Sequence, residues 1–282
     1  MFGDTVEPQR RREWQLEFSP QRMVMMVKPF QSKGAAGECS MRTKALVIAH
    51  RTCPRHAIDN SLEGIELAHV MGADGVEVDV QRTLDGVLLL HHDHTLWRKL
   101  RLPLPLWALP SGLVRRLAAP GQFPTFGEAL AALHPSMLMA VDIKHSRAAA
   151  AVAGEVRAGG MASQALLWSK SARTCSDLAR LAPECEVGFL SDARGPRAVK
   201  RMLAKAANSS AGALSVHWDT VTDGFVKDAH RRGLRVYAMA RNPGFQREKF
   251  RTGLDGLVTD WPEEAIEARL EINPLDPIRS SV

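Results

Sequence analysis

The 282-residue chain has a single tyrosine and only four cysteines. Cys39, Cys53, Cys175 and Cys185 form no Cys-x-x-Cys pair, which excludes a thiolate zinc cluster and a thioredoxin-type redox motif. They read as free thiols of a reducing compartment, and the expected location is cytoplasmic. Long apolar runs are also missing. Near the N-terminus the longest is Met23-Val24-Met25-Met26-Val27, closed off by Arg22 and Lys28. It is too short to span a membrane and is a poor signal-peptide core. No Gly-rich dinucleotide or Walker loop follows any candidate strand, and no nucleic-acid-binding motif is present. The charge is not lopsided: 37 basic and 31 acidic residues leave +6. That balance suits an anionic partner such as a phosphorylated small molecule or an anionic membrane surface, with no specific nucleic acid expected.

What the chain does contain is alternation. Residues 1–40 show no sustained periodicity and read as an irregular N-terminal arm, with Met41 as an alternative start. Residues 41–282 read as one domain. Strand patterns at 45–49, 75–80, 137–143, 165–169, 186–190, 213–216, 234–239 and 256–258 are separated by amphipathic helical patterns. Eight buried-looking strands in that order predict an α/β fold, a (β/α)8 TIM-type barrel. Val87–His91 is a ninth apolar stretch, placed in an extended second βα connection.

Barrel strands are normally filled with Val, Ile and Leu, and three of these are not. The first runs into His50-Arg51, the second reads Gly75-Val76-Glu77-Val78-Asp79-Val80, and the third reads Ala140-Val141-Asp142-Ile143-Lys144. Period-two alternation puts Glu77 and Asp79 on one face, as it does Asp142 and Lys144. Carboxylates gathered among valines repel unless a cation lies among them or one is protonated. Hard oxygen donors without thiolate suggest Mg2+ or Ca2+, and a salt-bridge cluster with Arg51 and Lys144 is the alternative. His50, beside Arg51, and His92, before Asp93, are candidates for an acid–base pair, with His91 the competitor of His92. Arg51 and Lys144 are candidates for holding a phosphate.

In order along the chain, these residues resemble the glycerophosphodiester phosphodiesterase family. The resemblance is carried by Ala49-His50-Arg51-Thr52, by Ile58-Asp59-Asn60-Ser61 and by Gly72-Ala73-Asp74-Gly75-Val76-Glu77-Val78-Asp79. It continues through Thr83-Leu84-Asp85-Gly86 with His92-Asp93, Pro124-Thr125-Phe126-Gly127-Glu128, and Asp255-Gly256-Leu257-Val258-Thr259-Asp260-Trp261-Pro262. The resemblance implies a TIM-type barrel and metal-dependent hydrolysis of a glycerol-linked phosphodiester to glycerol 3-phosphate and an alcohol. Family members often attack with the substrate's own glycerol hydroxyl, through a cyclic phosphate. Position by position it implies His50 and His92 as the acid–base pair, and Arg51 and Lys144 on the phosphate. Glu77, Asp79 and Asp142 become metal ligands, and Asp59 a ligand or a residue supporting one.

The chain departs from the family pattern at four places. Thr52 stands for a glycine, so the turn after Arg51 is expected to differ. Asp59 and Asp142 stand for glutamates and shorten the reach of each carboxylate. Tyr237 stands for a tryptophan, which is expected to change a pocket wall. A further expectation concerns residues 96–117, rich in leucine, tryptophan and arginine and interrupted by Pro103, Pro105 and Pro110. They read either as a loop with its own small core or as a peripheral membrane contact favouring lysolipid substrates, that is, a lysophospholipase D. A non-catalytic phosphate- or lipid-binding barrel is the remaining alternative.

Overall fold

A computed structural model describes residues 45–242 and 246–272. The arm expected at 1–40 and the alternative start at Met41 lie outside them. Eight parallel strands form a ring: β1 (Leu46–Ala49), β2 (Gly75–Arg82), β4 (Leu138–Ile143), β5 (Ala165–Ser169), β6 (Glu186–Ser191), β7 (Ala213–His217), β8 (Arg235–Ala240) and β9 (Gly256–Thr259), with β1 pairing both β9 and β2. The expected barrel is therefore closed. The ninth strand, β3 (Leu88–Leu90), lies in the extended second connection and pairs antiparallel with β2.

Helices around the ring include α1 (Leu62–Val70), α4 (Phe126–Ala132), α5 (Ala149–Ala158), α6 (Ala172–Leu181), α7 (Pro196–Ala207), α8 (Asp223–Arg231), the short α9 (Gln246–Lys249) and α10 (Pro262–Ile272). Their starts are written in the sequence. Ser61, Ser171 and Thr222 each accept a hydrogen bond from the first helical turn. Thr125 and Glu128 form a reciprocal capping box. Pro196 opens α7, where its missing N–H costs nothing.

The main core lies between strands and helices. A second cluster fills the barrel itself with Ile48, Leu166, Trp168, Tyr237 and Val258. Trp168 and Tyr237 lie with ring centroids 5.2 Å apart, and they fit because the neighbouring strands offer glycine. A Cβ on Gly188 would overlap the Trp168 ring, and one on Gly256 would lie 2.6 Å from Tyr237 Cδ1. Tyr237 is thus core. The expectation that it changes a pocket wall does not hold, and at this strand the wall is Met239 and Arg241.

At the strands' N-terminal ends, two Asp-Gly pairs do matching work. The Asp74 carboxylate accepts from Val47 N at 2.7 Å, and that of Asp255 accepts from Val236 N at 2.7 Å. Buried Arg269 on α10 pairs with Asp74 and donates to the Ala45 carbonyl at 3.0 Å, tying the last helix to the first strand.

Residues 96–117 carry α2 (Trp97–Leu100) and α3 (Ser111–Leu117), two short helices separated by the prolines. Leu96, Leu106 and Val114 join Leu89 and Phe123 in a satellite core. Trp97, Leu104, Trp107 and Leu117 remain exposed. No described helix is long and apolar enough to cross a membrane.

Candidate active site

The register of the ring assembles the carboxylates. Asp79 on β2 is the direct partner of Asp142 on β4, and Glu77 lies one pleat below on the same face. All three are buried, with oxygens within 4.8 Å of one another, so a shortened Asp142 still reaches the group. The return of β3 beside β2 is what brings in His92: Val80 pairs with Leu90, and His91 N donates to the Asp79 carbonyl at 2.9 Å. His92 follows at the cleft. His91 points the other way, fully buried, with its ring 5.1 Å from Phe123 and its Nε2 3.1 Å from the Thr95 carbonyl.

His50 and Arg51 leave β1 in a tight turn. Arg51, Thr52 and Cys53 have φ of 47°, 60° and 77°. The turn therefore adopts the left-handed backbone that suits glycine, at a cost for β-branched Thr52. Neighbours hold it: Asn60 N donates to Arg51 O at 2.8 Å, and Ser61 N to Thr52 Oγ1 at 3.0 Å. Gly64 leaves room where a Cβ would run into the Thr52 carbonyl.

The result is a dense charge network. Arg51 N donates to Glu77 Oε2 at 2.9 Å, and its guanidinium lies 3.5 Å from Asp79 Oδ2. Lys144 bridges Asp79 and Asp142, 2.6 Å from each. Asn60 grips Asp79 twice, donating to Oδ2 at 2.8 Å and accepting from the backbone N at 2.9 Å. Burial, then the neighbouring Asp79, pushes Glu77 up to about 7. Burial would also raise Asp79, but Lys144, His92 and Arg51 outweigh it and take that carboxyl down to about 2. Burial raises Asp142, against the pull of Lys144.

Each histidine has one nitrogen committed. His50 Nδ1 lies 2.5 Å from Asp260 Oδ1, and its Nε2 lies 4.0 Å from Glu77. His92 Nδ1 lies 2.8 Å from Asp93 Oδ1. A carboxylate on Nδ1 keeps the proton there and leaves Nε2 to take or give one. Burial lowers the His92 pKa despite the pull of Asp79. Asp93 also holds Arg98 Nε at 2.6 Å, and Arg98 reaches Asp59 at 2.7 and 3.2 Å. Asp59 is thereby engaged by Arg98 and Lys99, outside the three-carboxylate group.

His50, Arg51, Glu77, Asp79, His92, Asp142 and Lys144 all line one cleft at the C-terminal mouth of the barrel, the usual place for chemistry in this fold. A sequence profile of the Glycerophosphoryl diester phosphodiesterase family matches residues 50–264. The chain belongs to that family. Among curated members, the glycerophosphodiester phosphodiesterase of Caldanaerobacter subterraneus is 46% identical over 55 residues, 20% of this chain and 23% of that one. Rat glycerophosphodiester phosphodiesterase 1 is 39% identical over 71 residues, 25% of this chain and 22% of that one. The matched stretch thus spans under a quarter of these relatives' own length. The Thermotoga maritima family structure superposes with a TM-score of 0.67 at 21% identity, covering 80% of this chain and 98% of that one. An Oleispira antarctica phosphodiesterase, solved with sn-glycerol-3-phosphate, gives 0.67 at 21% identity, over 79% and 96%.

Sequence reasoning gave Asp260 and Asn60 no role, and read Arg98 only as a basic residue of the 96–117 segment, not as part of the site. Asp260 and Asn60 stand inside the family-like motifs, the one signal that marked them. Nothing tied Arg98 to the site, since its partners Asp93 and Asp59 meet only in the fold.

Proposed function

We propose that the protein hydrolyses a glycerol-linked phosphodiester to glycerol 3-phosphate and an alcohol, with a divalent metal, Mg2+ or Ca2+. The supporting observation is the pairing of two carboxylate-anchored histidines with a buried trio of carboxylates in one cleft. Glu77, Asp79 and Asp142 would hold the cation. Their chemistry fits one: three hard oxygen donors sit close together, and burial with Asp79 drives Glu77 toward protonation even though Lys144 and Arg51 already pair with Asp79, the salt-bridge arrangement that a bound ion would have to displace. Bound there, the ion would draw charge from the phosphate oxygens.

The chain's own groups supply the rest. Arg51 and Lys144 line the cleft and would orient the phosphate, Lys144 once a cation on Asp79 and Asp142 frees the ammonium that now bridges them. One histidine takes a proton from the attacking glycerol hydroxyl as its oxygen bonds to phosphorus, and the other gives one to the alcohol oxygen as its P–O bond breaks; water then opens the resulting cyclic phosphate to glycerol 3-phosphate with the two histidines' roles exchanged, so no net proton is consumed. Asp260 and Asp93 keep each imidazole in the required tautomer. Two-histidine assistance of this type is worth ~10²–10⁴-fold. The test is turnover of a panel of glycerophosphodiesters and lysolipids by wild type, His50→Ala and His92→Ala. The reading requires a loss of ~10²-fold or more in each variant, and near wild-type rates in either remove that histidine.

Action on lysolipids at a membrane surface is the second reading, and its one point of contact with the structure is the exposure of Trp97 and Trp107 on the insertion that carries Arg98. With Leu96, Leu106 and Val114 buried, it rests on Trp97, Leu104, Trp107 and Leu117. Sedimentation with anionic vesicles should then fall for Trp97→Ala plus Trp107→Ala, and a protein that ignores vesicles removes this reading.

A further inference from the structure

Asp260 anchors His50, yet its own carboxylate has little to hold it. His50 is its one hydrogen-bond partner among the described residues, and its side chain is 24% exposed. It stands directly after β9, where the chain leaves the sheet. Its place therefore depends on the backbone that carries it, and that backbone is held through the next residue, Trp261. The other half of the pair has the same need. His50 opens a turn in which Arg51, Thr52 and Cys53 all have left-handed backbone, and such a turn persists only where its surroundings fix it.

Three loops of the mouth meet at Trp261. Its backbone N–H donates to Thr259 Oγ1 at 3.1 Å, closing the turn around Asp260. Its indole Nε1 donates to the Arg241 carbonyl at 3.1 Å, on the loop after β8. Its ring face carries the guanidinium of Arg55, 3.0 Å from the ring centroid, on the loop after β1 that also bears His50. Arg55 is pinned in turn by Glu263 and Glu264 at 3.2 and 3.7 Å, and His56 Nε2 lies 2.9 Å from the same Glu263 oxygen. Both glutamates lie in the first turn of α10. A planar guanidinium can stack on the indole and face these carboxylates at once. The loops of His50 and Asp260 are thus joined twice, inside the cleft by their own pair and outside it by the Arg55–Trp261 stack.

We propose that Trp261 and Arg55 are positioning residues: clamped together on the outer side of the mouth, they set where Asp260 meets His50 and so hold the imidazole for proton transfer. Neither lines the catalytic cleft, so their effect passes through Asp260. The inference rests on the phosphodiesterase reading of that cleft. A misplacement of about 1 Å, transmitted from outside the chemistry, is enough to cost a large factor in rate.

The test is a double-variant cycle on turnover of glycerophosphocholine with Mg2+ or Ca2+. Trp261→Ala should lower kcat by about tenfold with KM nearly unchanged, because the imidazole is misplaced and the substrate contacts are not. In Asp260→Asn, where the carboxylate anchor is already gone, the same change should cost less than about twofold. Trp261→Phe keeps a ring under the guanidinium and should recover most of the rate. Arg55→Ala, a change at the surface, should repeat the pattern if Trp261→Ala impairs folding. An unchanged kcat, a loss confined to KM, or a full tenfold loss recurring in Asp260→Asn overturns the proposal. A second readout needs no turnover: the NMR signal of the His50 Nδ1 proton, assigned by its disappearance in His50→Ala. It should lie far downfield in wild type, as a short hydrogen bond to a carboxylate requires, and should shift or broaden in Trp261→Ala and Arg55→Ala. A signal that neither variant moves overturns the proposal. A signal that both move, in a protein that hydrolyses no glycerophosphodiester, upholds the clamp and removes the phosphodiesterase reading instead.

Discussion

Asp59→Ala separates a metal-binding role for this residue from the structural one seen in the fold. The Lys99 side chain is 4% exposed, and its ammonium lies 3.3 Å from Asp59 Oδ1 and 3.0 Å from the Asp59 carbonyl. Removing the carboxylate strands a buried cation, which costs ~3–5 kcal/mol. The backbone carbonyl still accepts from Lys99, so the lower end applies, roughly 3 kcal/mol. The Arg98 share is small, because an ion pair that is half exposed contributes about 0–1 kcal/mol. For a chain of this size the loss is a fall in Tm of about 6–12 °C. Burial alone would raise the Asp59 pKa, but Arg98 and Lys99 hold it down at about 2. The stabilisation is therefore full above the unfolded carboxylate pKa of ~3.9 and is lost as pH falls toward 2. Denaturant and thermal unfolding of wild type and variant should show that gap at pH 7 and its closure in acid. Adding Lys99→Met should recover part of the loss, since the stranded charge is then gone. Calorimetric titration with Mg2+ or Ca2+ should give nearly the wild-type affinity. A tenfold loss of metal affinity with unchanged stability would refute the reasoning.

Three further outcomes are expected. His91→Ala should lower stability by ~2 kcal/mol or more while leaving the chemistry standing, because its ring is packed against Phe123; loss of turnover in a stable His91→Ala would mean the neighbouring histidine is the wrong one. Gly188→Ala should destabilise by ~1–3 kcal/mol through overpacking against Trp168, measured by urea unfolding. Asp260→Asn should lower kcat by ~10²-fold with little change in KM, as His50 loses the carboxylate that fixes its proton on Nδ1 and meets an amide that can donate there instead; an unchanged kcat would remove Asp260 from the site.

The barrel was legible because every strand carries a continuous buried pattern and most helices carry a start signal. The carboxylate trio was legible for the same reason: acids alternating with valine have nowhere to point but inward. Two things were not legible. The antiparallel return of β3 is a tertiary pairing of three leucines; the apolar stretch Val87–His91 was legible but its partner was not, and only the family resemblance put His92 with Asp79. The anchoring of Asp59 by Arg98 and Lys99 joins segments forty residues apart, with no periodicity to announce it. The family-like motifs also mix two kinds of residue. Asp74, Gly75, Asp255 and Gly256 secure strand starts at the far end of the barrel, whereas Glu77, Asp79 and Asp260 lie at its mouth. Linear order alone does not sort them.

The central claim is that a cation held by Glu77, Asp79 and Asp142 serves a phosphodiester flanked by His50 and His92. Its most direct test is release of glycerol 3-phosphate from a glycerophosphodiester by the purified protein, before and after chelation and again after Mg2+ or Ca2+ is returned. Turnover should vanish with chelator and return with the metal in wild type, and should not return in Glu77→Gln. Full turnover in excess chelator would contradict the account.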